Sequence, residues 1–148
     1  MSTREQLTEK IRDAKRSRKL SWKAIAEAIG TGSPILYTAA LLGQMTLTAG
    51  EAENAVKVLG LDEAEAVLLT EPPYRGAPTV PPTDPLIYRF HELLQNYGTT
   101  WKALIEEEFG DGIMSAIDFD MQMEREPNEK GDRVKITMSG KFLPYKRY

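Results

Sequence analysis

Two short stretches hold the residues whose types and spacing can do chemistry. In YRFHELLQNYG, Tyr88 to Gly98, an arginine and a glutamate stand three positions apart, Arg89 and Glu92. On a helix that spacing puts them one turn from each other. A guanidinium is a permanent cation whose planar fork holds an anion in fixed geometry. The same spacing equally describes an exposed ion pair worth at most about 0.5 kcal/mol, in the less favourable order for a helix. Further on, Ser115 lies in DGIMSAIDF, between glycines and an alternating segment. No Gly-x-Ser-x-Gly elbow surrounds it and no base is at hand. It reads as a cap of local backbone, and in a site the part of hydrogen-bond donor suits it better than that of nucleophile.

Composition removes several other chemistries. The 148 residues include no cysteine, so disulfides, thiolate nucleophiles and cysteine-ligated metals are excluded. His91 is the only histidine and has no acidic neighbours at ligand spacing, which leaves neither a zinc site nor a Ser-His-Asp triad. It reads as structural. The net charge is −3, with ten basic and ten acidic residues up to position 75 and nine against twelve after it. Any anion site in the second half must therefore rest on local cations. There is no apolar run long enough to span a bilayer, and the start, MSTREQLTEK, is polar. A cytoplasmic protein is expected.

The first half must be helical. Leu7, Ile11 and Ala14 repeat at helical spacing, and Ser21 is positioned to cap a second helix carrying Trp22, Ile25, Ala26 and Ile29. Gly30 ends that helix, and Ser33 with Pro34 opens a third, largely apolar one. A fourth helix follows in TAGEAENAVKVLGL, and a fifth in DEAEAVLLTE with Asp62 as its cap. From Ser21 to Gly43 the pattern resembles a phage-repressor helix-turn-helix. Yet Ser33 to Gly43 offers no Arg, Lys, Asn or Gln to read base edges, and the basic residues between Lys10 and Lys23 are interrupted by acids.

Glu71 to Pro82 holds five of the nine prolines and predicts a stiff connector, which sets domains at 1–72 and 83–148 with a linker at 73–82. Beyond it, Thr83 is the expected cap of a helix with Leu86, Phe90, Leu93 and Tyr97 on its buried stripe. Gly98 is the expected stop, with a second helix from Thr99 to Gly110. Then the period changes to two. Ile117, Phe119, Met121 and Met123 alternate with polar residues, and Val134, Ile136 and Met138 do the same after a turn, which predicts a β-hairpin. The methionines read as hairpin core or interface. Two short helices and one hairpin bury too little to stand alone, so a second copy of the chain is the simplest cover. The fold class is α+β.

The run PTDPLIYRFHELLQNYGTTWKALIEEEFGDGIMSAIDF, Pro82 to Phe119, resembles the signature region of the cyanase family (cyanate hydratase, or cyanate lyase). The closing KFLPYKRY and TAALLGQ at Thr38 to Gln44 resemble that family too, so the likeness spans nearly the whole chain. It implies a helix-turn-helix-like first domain not used on DNA, and a small second domain that dimerises by strand exchange. It further implies a homodecamer of five dimers with sites at subunit contacts. The implied reaction is bicarbonate-dependent decomposition of cyanate through carbamate to ammonia and carbon dioxide, for detoxification and nitrogen supply. Bicarbonate is a co-substrate, and no metal or organic cofactor is implied. By motif, the catalytic trio carried over is Arg89, Glu92 and Ser115. Arg89 would bind and stabilise the anions, Ser115 would donate a hydrogen bond, and Glu92 would position Arg89 or carry a proton. The competing expectation is a DNA-binding regulator whose second domain serves dimerisation. No nucleic-acid or membrane partner is expected on the first reading.

Overall fold

The computed structural model describes residues 2–76 and 80–148. Residues 77–79, inside the connector expected at 73–82, lie outside the described residues. The chain separates into two units, Met1–Gly76 and Ala77–Tyr148.

Capping chemistry sets the helices of the first unit. Thr3 opens α1 (Arg4–Ser17) through a reciprocal bond with Gln6, and Ser21 accepts from the Ala24 amide to open α2 (Trp22–Ile29). Ser33 and Pro34 open α3 (Pro34–Leu41) as expected, and Thr48 pairs with Glu51 to open α4 (Ala49–Leu59). Gly60 closes α4 in the left-handed region at φ 67°, where a side chain would be strained. The fifth helix is shorter than its sequence suggested. A 3₁₀ turn at Glu63–Glu65 precedes α5 (Ala66–Thr70), and Asp62 makes no side-chain capping bond. Here the backbone closes on itself instead, the Glu65 amide donating to the Asp62 carbonyl at 3.0 Å, while the Glu65 carboxylate takes Lys10 of α1.

The apolar stripes of these helices converge on one interior. Leu7, Ile11, Ile25, Ile29, Leu41, Val56, Leu59 and Leu69 are fully buried there. Each such side chain contributes on the order of 1.5–3 kcal/mol relative to exposure. This unit closes its own core.

The second unit does not. Its elements are α6 (Pro85–Phe109) and an antiparallel hairpin of β1 (Gly112–Glu126) and β2 (Arg133–Pro144). Two expectations are corrected. The cap is Asp84, which accepts from the Leu86 and Ile87 amides, and not Thr83, because Pro85 takes the first helical position. The two short helices are one helix of 25 residues, uninterrupted at Gly98. The apolar spacing explains this: Phe90, Leu93, Tyr97, Trp101 and Leu104 continue at three- and four-residue steps straight through the glycine. A mid-helix glycine costs only about 1 kcal/mol relative to alanine, too little to stop a helix with a continuous apolar face.

No residue of α6 is buried within the chain, and Ile117 on β1 is 97% exposed. The helix meets the hairpin at its end, where Phe109 stacks on Phe142 at 5.2 Å between ring centroids. The strands pair Met121 with Met138 and Met123 with Ile136, so the alternating face predicted from the sequence is present, although largely uncovered.

Candidate active site

The Asp84 cap and Pro85 fix the start of α6, and with it the direction in which the second turn points. Arg89 and Glu92 lie there, one turn apart. Arg89 Nη1 donates to Glu92 Oε2 at 2.8 Å, with the arginine side chain 69% exposed and the glutamate 43%. The carboxylate takes one edge of the guanidinium fork and leaves other N–H donors free of it. His91, between them in sequence, is half-buried with its ring 5.8 Å from that of Tyr88.

Ser115 occupies an irregularity in the hairpin. Met114 pairs with Phe142 and Phe119 with Gly140, so Ser115 to Asp118 on β1 stand opposite Lys141 alone. The surplus backbone folds into a tight bulge around the serine. Its Oγ accepts from the Ile117 amide at 3.0 Å and from the Asp118 amide at 2.9 Å. Ser115 is the one buried residue of this unit's described part, 5% exposed. The backbone capping expected of it is thus present. It caps backbone amides, and because both oxygen lone pairs are engaged, its hydrogen is left to donate.

Within one chain the three residues form two groups. Arg89 and Glu92 are joined to each other, and no hydrogen bond or ion pair among the described residues joins either to Ser115. The sequence reading passed over Gly140, whose position faces the serine bulge. An isolated glycine inside the alternating run KITMSGKF is the signal that marks it, since such a glycine signals a close backbone approach. Among the described residues no group of three or more His, Asp or Glu side chains is placed to hold a metal ion, and no helix is long and apolar enough to cross a membrane.

Known proteins match this chain along its length. The family model "Cyanate hydratase, N-terminal" matches residues 4–73, and "Cyanate lyase C-terminal domain" matches residues 79–147. A cyanate hydratase of Ralstonia pickettii is 60% identical, covering 98% of this chain and 99% of its own. One from Dechloromonas aromatica is 58% identical over the same shares. The crystal structure of cyanase from T. urticae superposes with a TM-score of 0.80 at 38% identity, covering 93% of this chain and 96% of that one. Matched in both halves and aligned almost end to end with these relatives, the chain belongs to the cyanate hydratase (cyanate lyase) family.

Proposed function

We propose that the chain is a lyase that decomposes cyanate in a bicarbonate-dependent reaction, with Arg89, Glu92 and Ser115 as its catalytic residues. The observation that carries this reading is the end-to-end match to cyanate hydratases. It favours an enzyme over a DNA-binding regulator, as does the absence of base-reading side chains from Pro34–Leu41.

The chemistry joins two anions. A bicarbonate oxygen attacks the cyanate carbon and forms a dianionic adduct. The adduct loses carbon dioxide as its nitrogen takes a proton, leaving carbamate. Carbamate takes a second proton and breaks into ammonia and another carbon dioxide. At about 4 Å and an effective dielectric near 20, repulsion between the two reactants is roughly 4 kcal/mol. The Arg89 guanidinium offsets it and stabilises the dianion, and holding both reactants together removes the cost of a bimolecular encounter. Ser115, with its lone pairs engaged by amides, donates its hydrogen to an anion oxygen. Glu92 sets the orientation of Arg89 through their 2.8 Å bond, and its carboxyl is the group beside the site able to pass a proton to nitrogen.

The family relationship further supports a reaction without a metal or organic cofactor, in a homodecamer of five dimers, in the cytoplasm. The uncovered apolar faces of α6 and the hairpin support assembly, since only other copies need be added to bury them. We take the functional boundary to be the connector at 73–82, in line with family matches that end at 73 and resume at 79. Ammonia release from cyanate, measured with and without bicarbonate, tests the whole reading. Release is expected only when bicarbonate is present. Equal release without it would overturn the mechanism, and no release under either condition would overturn the function.

A further inference from the structure

We propose that Gly140 is a positioning residue for Ser115: its missing side chain is the space that lets the serine bulge close against β2. This rests on the reading of Ser115 as a catalytic donor. A Cβ built on Gly140 would lie 2.3 Å from the Ser115 carbonyl oxygen and 2.7 Å from Met114 Cγ. Real Cβ atoms essentially never come so close, and the first of these neighbours is backbone, which cannot swing aside as a flexible side chain can.

What must yield is the bulge itself. Gly140 pairs with Phe119, the residue at which regular register resumes after Ser115 to Asp118. Pushing the Ser115 carbonyl away from β2 turns the peptide that follows it, and the Ile117 and Asp118 amides that hold Oγ lie immediately downstream. Two hydrogen bonds of 2.9–3.0 Å set the direction of the serine hydrogen, so a displacement of a few tenths of an ångström re-aims it. Gly140 touches no reacting atom in this account and acts only through the serine.

The test is a double-mutant cycle on the full-length assembled protein. Ser115→Ala and Gly140→Ala are each expected to lower kcat/KM for cyanate about tenfold or more, the effect of losing one hydrogen bond to a charged group. Gly140→Ala placed in the Ser115→Ala background should then cost less than about twofold further. Malonate, a small dianion like the adduct of the proposed reaction, is expected to compete with the substrates, and its inhibition constant should rise by a similar factor in both single variants. That constant does not depend on the fraction of folded enzyme, so a merely structural role leaves it unchanged. Gly112→Ala supplies the comparison, because a Cβ there crowds the Leu143 carbonyl at 2.4 Å in the same hairpin; it should leave malonate inhibition as it was.

If Gly140→Ala does not fold, pairing it with Met114→Ala clears the side-chain contact and leaves the 2.3 Å backbone clash in place. That pair should remain weakened toward malonate relative to Met114→Ala alone, and wild-type inhibition would overturn the proposal. Equal losses with and without the serine hydroxyl would overturn the role of Gly140 while leaving Ser115 in the site. Full activity in Ser115→Ala would overturn both.

Discussion

Arg89 and Glu92 hold each other across one turn of α6, Nη1 to Oε2 at 2.8 Å, with the arginine exposed and the glutamate half-buried. An exposed pair of this kind adds little to stability, at most about 1 kcal/mol. In the proposed site its value lies in geometry, with one edge of the guanidinium fixed and the rest available to an anion.

Arg89→Lys keeps the charge and loses the fork. Folding and melting temperature should be unchanged, while kcat/KM for cyanate falls about a hundredfold or more, the scale of losing an aligned donor to developing negative charge. Steady-state ammonia release alongside thermal unfolding checks both halves. Near-normal turnover would remove Arg89 from the site.

Val134 is 74% exposed on β2, in a unit with no apolar interior of its own. On an ordinary surface Val134→Asp is harmless, within about 0.5 kcal/mol. Here it should shift sedimentation velocity toward smaller species and reduce activity in parallel, since in the proposed assembly copies cover the apolar face it marks. An unchanged sedimentation profile would place the assembly surface elsewhere.

In the first unit, Tyr37 is buried, accepting from the Gly32 amide at 2.9 Å and donating to Glu51 Oε1 at 3.1 Å. Its hydroxyl occupies the place of a side chain on Gly32, where a Cβ would come within 2.5 Å of it. Tyr37→Phe leaves the amide without that partner and should lower stability by about 1–3 kcal/mol in urea unfolding. Turnover at moderate temperature should stay near normal.

Arg4 ties loose ends of the same unit together. Its guanidinium donates to the carbonyls of Ala40 at 2.9 Å, Met45 at 2.7 Å, Leu68 at 2.5 Å and Glu71 at 3.0 Å. Burial holds its pKa below the ordinary guanidinium value. Arg4→Met keeps much of the volume and strands those carbonyls, so unfolding should come about 2 kcal/mol sooner. A loss below about 0.5 kcal/mol would mean that water replaces the side chain at little cost.

Local chemistry made much of the first unit legible from sequence. Ser21 and Ser33 cap where their spacing indicated, and the stripe of Leu7 and Ile11 is fully buried. Gly98 misled because glycine is a strong stop only where no apolar face carries on beyond it, and the steps from Tyr97 to Trp101 show that one does. Asp84 displaced Thr83 as cap by a single position, a difference that the following proline decides. The proposed trio rests on resemblance alone, since an arginine three residues before a glutamate is common on any helix. The bulge at Ser115 was hidden for another reason. It depends on what stands across the hairpin, at Lys141 and Gly140, and periodicity along one strand does not register its neighbour.

The uneven distribution of interior between the two units gives synthesis an order. With a closed interior of its own, the amino-terminal half can fold as soon as it has left the ribosome. The carboxy-terminal half emerges with greasy flanks and, on the proposed assembly, waits for a sibling polypeptide to cover them. On that reading, how soon sibling chains meet bears on how much newly made material escapes aggregation.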